Sequence, residues 1–101
     1  AKAQTLTVTL PAAATAGRHT LSFAWAGKIN TSAAGLFAID YPDGKGGTAR
    51  MLATQFEAPD ARRFAPIWDE PSFKAKFKLT AIGPADQLAY SNMPATSVTP
   101  Y

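Results

Sequence analysis

Hydrophobic and polar residues alternate with a period of two along much of this chain, the pattern of a strand with one covered face. Thr5, Leu6, Thr7, Val8, Thr9 and Leu10 follow Gln4 in strict alternation, and Pro11 stops them. After an Ala-rich loop reaching Gly17, Leu21, Phe23 and Trp25 alternate with Thr20, Ser22 and Ala24, and Gly27 ends the run. Gly35 to Tyr41 predicts a third strand with Phe37, Ile39 and Tyr41 on one face. Pro42-Asp43-Gly44-Lys45-Gly46-Gly47 then supplies a fixed φ, a side chain that bonds its own turn, and glycines tolerant of positive φ. A hairpin follows, its return strand running from about Thr48 to Phe56, with Met51, Leu52 and Ala53 suggesting burial on both faces.

The stretch Ala58 to Phe64 breaks the alternation, with Asp60 placed to cap one short helical turn near Asp60–Arg63. Pro66 and Pro71 bracket an irregular loop. From Phe73 to Ile82 the alternation is the clearest in the chain, with Phe73, Ala75, Phe77, Leu79 and Ala81 inward and Lys74, Lys76, Lys78 and Thr80 outward. A last short strand near Leu88 to Tyr90 precedes a loose tail. Neither a repeat, a heptad nor a long helical pattern is present. The expected class is all-β, a twisted and mostly antiparallel sheet or sandwich of about six strands forming one β domain over residues 1–101.

Composition narrows the possibilities further. At 101 residues, 47% hydrophobic and 17% charged, the chain has ordinary globular usage. A chain of this size is expected to bury roughly 60–70% of its unfolded surface around one modest core. No apolar run approaches the roughly 18–20 residues of a membrane-spanning helix, so no membrane partner is expected. The absence of cysteine excludes disulfides, thiolate metal sites and cysteine nucleophiles, and suits a bacterial cytoplasm or periplasm, the periplasm being preferred. A net charge of +3 is spread along the chain and does not point to nucleic acid.

Candidate chemistry is sparse. A catalytic zinc site needs about three protein ligands, and His19 is the one histidine; it opens a strand and is read as an exposed edge residue. No serine lies in a nucleophile elbow. Gly44-Lys45-Gly46-Gly47 lacks phosphate-loop spacing and precedes a strand, so it is read as hairpin. The Lys74, Lys76 and Lys78 comb is read as a solvated face that discourages edge pairing. Asp69 and Glu70, adjacent in a proline-bracketed loop, are expected to bond backbone N–H groups or pair with Arg62 or Arg63.

The segment from Thr54-Gln55-Phe56-Glu57 through Asp60-Ala61-Arg62-Arg63, Trp68-Asp69-Glu70-Pro71 and Phe73-Lys74-Ala75, with Ser91-Asn92-Met93-Pro94 beyond it, closely resembles a signature of aminopeptidase N-type zinc peptidases. Gly27-Lys28-Ile29-Asn30 and Gly35-Leu36-Phe37 fit the same pattern more weakly, so the likeness covers nearly the whole chain. Ile67 departs from it, where many relatives carry cysteine. The resemblance implies part of a saddle-shaped N-terminal β domain that packs on a thermolysin-like catalytic domain of the same polypeptide. It implies that Glu57 receives the α-ammonium of a peptide substrate and that Gln55 lines the pocket for its first side chain. It also implies that zinc, its ligands and the hydrolytic groups lie beyond Tyr101, so that this chain holds no cofactor or metal and is inactive by itself.

The rival expectation is a stand-alone β module that binds a partner or glycan through the aromatic surface around Phe64, Trp68 and Phe73. A strand pattern that begins within a few residues of Ala1, and a tail after Met93 with no closing element, suit an excised piece better. Such a piece is expected to self-associate through exposed strand edges.

Overall fold

The computed structural model describes residues 5–100. Its regular structure is the expected hairpin followed by the expected turn. Strand β1, Gly35–Pro42, pairs antiparallel with β2, Thr48–Gln55, in a two-stranded sheet, and a 3-10 turn occupies Ala61–Arg63. The class is all-β. The register sets Gly35 opposite Gln55, Phe37 opposite Ala53, Ile39 opposite Met51 and Tyr41 opposite Ala49, which places these residues on one face of the hairpin. Phe37, 8% exposed, is the buried hydrophobic residue at its centre.

The connection between the strands is built by Asp43. Its Oδ1 accepts the backbone N–H of Lys45 at 2.7 Å and of Gly47 at 2.9 Å, while its own N–H donates to the Gly47 carbonyl at 3.1 Å. Gly44 and Gly46 take φ of 75° and 88°, the left-handed region that glycine enters without penalty. Across the ladder, Arg50 lies opposite Asp40 and grips it with both ends of the fork, Nε to Oδ1 at 2.6 Å and Nη2 to Oδ2 at 2.7 Å. That bond, and then the charge behind it, holds the Asp40 carboxyl below its usual range.

The outer edge of β1 is held at one point. The Asn30 N–H donates to the Leu36 carbonyl at 2.9 Å, and the Ala38 N–H donates to the Asn30 carbonyl at 3.0 Å, a single parallel bridge. The Asn30 side chain then closes the intervening loop by donating to the Ala34 carbonyl at 2.6 Å.

Four of the expected strands have no ladder partner among the described residues: 5–10, the Leu21–Phe23–Trp25 run, 73–82 and 88–90. Gln4, the first residue of the first of these, lies outside the described residues. The face expected to be inward is therefore outward, with Phe77 88% exposed and Leu79 70% exposed. Met51, on the Phe37 face of β2, and Leu52, on the other, are both exposed, so the burial expected on both faces is found on neither. Among the described residues the expected core is correspondingly reduced to Phe37. The accessible area is 10197 Å², nearly twice the about 5,500 Å² of a compact chain of this mass. The radius of gyration is 17.6 Å, against about 13 Å for a compact domain of this length. A period-two pattern states what a segment presents once paired; the pairing itself needs a neighbour.

Candidate functional site

Gln55 is the last residue of β2, and Glu57 stands two residues on, where the chain leaves the sheet. Both side chains are exposed, and neither has a hydrogen-bond or ion-pair partner among the described residues. Glu57 is thus a carboxylate held at a strand exit with all its acceptor capacity open. The turn that carries it closes when the Asp60 N–H donates to the Phe56 carbonyl at 3.0 Å. The Glu57–Ala58 peptide bond within it is cis.

Three contacts hold this turn, one of them to the hairpin. Phe56, between the two site residues, leans its ring on Phe64, with centroids 5.4 Å apart and planes at 39°. The Phe64 carbonyl, at the end of the 3-10 turn, accepts the Trp25 indole N–H at 3.0 Å. Gly35, opposite Gln55, lies so close to the turn that a Cβ there would stand 3.0 Å from the Cβ of Arg63. Asp60 does not cap the turn through its side chain as expected. Its carbonyl accepts the Arg63 N–H at 3.0 Å, and its carboxylate instead receives Arg63 Nε at 2.6 Å.

Asp69 and Glu70 behave as expected. Asp69 pairs with the Arg62 guanidinium, tying the proline-bracketed loop back to the turn. Glu70 Oε1 lies 3.5 Å from the Ser72 N–H and 3.4 Å from its hydroxyl, so it organises its own loop. His19 Nε2 contacts the Thr15 carbonyl at 2.7 Å and is exposed. Among the described residues no three His, Cys, Asp or Glu side chains gather in a group that could hold a metal ion, and no helix is long and apolar enough to cross a membrane.

Two open hollows flank these elements. One, of about 300 Å³, lies between Trp68, Phe73 and Phe77. The other, of about 440 Å³, lies over Asn30, Ala38 and the Asp40–Arg50 pair. Gln55 and Glu57 line neither. The sequence did not foretell the Trp25–Phe64 link: the partners are 39 residues apart, and Trp25 reads only as one member of an alternating run.

Residues 1–101 match the family described as the peptidase M1 N-terminal domain. The chain belongs to that family. This M1 N-terminal segment is 47% identical over 98 residues to "Aminopeptidase N" of Acetobacter pasteurianus, covering 97% of this chain and 28% of that protein. It is 47% identical over 83 residues to "Aminopeptidase M1-C" of Oryza sativa subsp. japonica, covering 82% of this chain and 9% of that one. To "Aminopeptidase Ey" of Gallus gallus it is 40% identical over 82 residues, 80% of this chain and 8% of the relative. The M1 segment therefore spans between about a tenth and just over a quarter of the length of these relatives. No solved structure matches it.

Proposed function

We propose that this chain is a segment of the N-terminal domain of a zinc-dependent aminopeptidase, a hydrolase that removes N-terminal residues from peptides. Within the parent polypeptide it packs on the catalytic domain and shapes the exopeptidase end of the cleft. Glu57 accepts the α-ammonium of the substrate, and Gln55 lines the pocket for the first side chain. What supports this reading is a carboxylate at the exit of β2 with no partner among the described residues, in a chain whose whole length matches the M1 N-terminal family.

The chemistry follows from the substrate's free end. An α-ammonium offers three N–H donors and a full positive charge, and a carboxylate with unused lone pairs meets both in a cleft from which water is partly excluded. On this reading the chain's share is recognition, and the zinc belongs to the catalytic domain. The metal, when bound in the catalytic domain, polarises the scissile carbonyl and activates water. On the same reading the 73–82 and 88–90 segments pair within a saddle-shaped sheet of the full domain, which covers Phe73, Phe77 and Leu79. In the isolated chain those uncovered edges and apolar side chains drive self-association.

A stand-alone binding module has the exposure of Trp68, at 73%, in its favour. The aminopeptidase reading treats that surface as one covered in the parent. Kinetics on the full-length parent separate the two. Glu57→Ala is expected to lower kcat/KM on aminoacyl substrates by about 10- to 150-fold, the equivalent of losing a hydrogen bond to a charged group. A value within twofold of wild type removes the proposed role.

A further inference from the structure

We infer that Trp25 is a positioning residue for the substrate-amine carboxylate, acting through Phe64 and Phe56; the inference rests on the reading of Glu57 given above. Phe64 closes the 3-10 turn, and its carbonyl belongs to the end of a helical turn, where carbonyls lack partners within the turn. Trp25 supplies the missing donor at 3.0 Å. That bond spans 39 residues of chain, whereas the Asp40–Arg50 pair spans 10 and the Asp60–Arg63 pair 3. It therefore anchors the turn to a distant segment, which the local bonds cannot do.

The anchored residue reaches the site directly. The Phe64 ring rests on Phe56 at 5.4 Å, and Phe56 is the residue between Gln55 and Glu57. The Phe56 carbonyl also receives the Asp60 N–H that closes the Glu57 turn. Fixing Phe64 thus restrains Phe56, the residue before Glu57 whose carbonyl closes the turn after it. Trp25 touches no substrate; it sets where the carboxylate stands when a free α-amine arrives. Loss of the indole N–H widens the range of Glu57 positions and weakens amine recognition, leaving the hydrolytic step unchanged.

Trp25→Phe, which keeps an aromatic ring and removes the donor, tests this in the full-length parent. The readout is the affinity ratio between leucine hydroxamate and its des-amino counterpart, two inhibitors that differ by the amine alone. The expected result is a fall of about 3- to 10-fold in that ratio, the loss of one hydrogen bond. Substrate KM should rise in step, with kcat within twofold of wild type. Glu57→Gln serves as reference, and the double variant should show less than the product of the two effects. If Glu57→Gln lowers the ratio and Trp25→Phe does not, the inference fails while the Glu57 reading stands. Equal weakening of both inhibitors by Trp25→Phe makes Trp25 a structural residue only and also overturns it. A ratio that Glu57→Gln leaves unchanged overturns the Glu57 reading and the inference with it. Should Trp25→Phe fail to fold, Phe64→Leu retains the carbonyl and removes the ring on Phe56, and an unchanged ratio there is equally fatal.

Discussion

Gly35→Ala loads the junction between the hairpin and the turn that carries Glu57. Gly35 has φ of 69°, a conformation that costs a residue with a Cβ about 1–2 kcal/mol. The new methyl stands 3.0 Å from Arg63 Cβ, 3.5 Å from Asn30 Nδ2 and 3.6 Å from the Asp60 carbonyl oxygen. The first of these is closer than ordinary van der Waals contact, so the turn must retreat by a few tenths of an ångström. Against this, alanine restricts the unfolded chain and returns about 0.4–1 kcal/mol. The net effect is destabilising by about 1 kcal/mol, which quickens local opening by about fivefold. Amide hydrogen exchange on peptides covering β1 and β2 in the full-length parent reads this opening. Gly27→Ala is the control, since a Cβ there meets nothing within 4 Å. Exchange in Gly35→Ala that matches Gly27→Ala would refute the close approach of Gly35 to the turn as a structural constraint.

Two further outcomes follow from the same features. Asp40 is held below its ordinary value of 3.8 by the Arg50 hydrogen bond first and the Arg50 charge second. Its contribution is therefore complete above that value and is lost as pH falls through the lowered one, below about pH 4. A carboxyl-carbon NMR titration of the parent's N-terminal region should place the Asp40 midpoint under 3.8 and return it upward in Arg50→Ala; a wild-type midpoint at or above 3.8 refutes the pairing. The isolated chain should form oligomers in light scattering as concentration rises, and Phe77→Lys should shift it toward monomer. A strictly monomeric wild type at every concentration contradicts this.

The hairpin was legible because its signals are local. Pro42 through Gly47 carry the turn chemistry, and Phe37, Ile39 and Tyr41 mark the face that Ala49, Met51 and Ala53 then meet in register. The turn at Ala61–Arg63 and the pairing of Asp69 with Arg62 were legible for the same reason, since their partners lie within a few residues. At 73–82 the pattern does not produce a ladder among the described residues. Its alternation is stricter than that of β1, yet no described neighbour offers a backbone to pair with, and Phe77 faces solvent. Trp25 marks the opposite limit. Nothing in the run around it signals an indole donor aimed at a carbonyl 39 residues away, because such contacts depend on where two segments meet in space.

The two kinds of interaction have different consequences for the site. A two-stranded hairpin is marginal in water by itself, and Phe37, the one buried hydrophobic side chain among the described residues, adds little to it. Covering Phe73, Phe77 and Leu79 would contribute about 1.5–3 kcal/mol each, a sum comparable to the total stability of a domain. On the proposed reading, the strength of the domain comes largely from surfaces that meet this chain in the parent. The placement of Glu57 has another origin: the close approach at Gly35, the Phe56–Phe64 contact and the Trp25 bond all lie within the chain. Stability and site geometry are therefore separable. Variants on the 73–82 face should change how much of the parent is folded, and, on the role proposed for Glu57, variants at Phe64 and Trp25 should change how well the folded fraction holds a substrate's free amine.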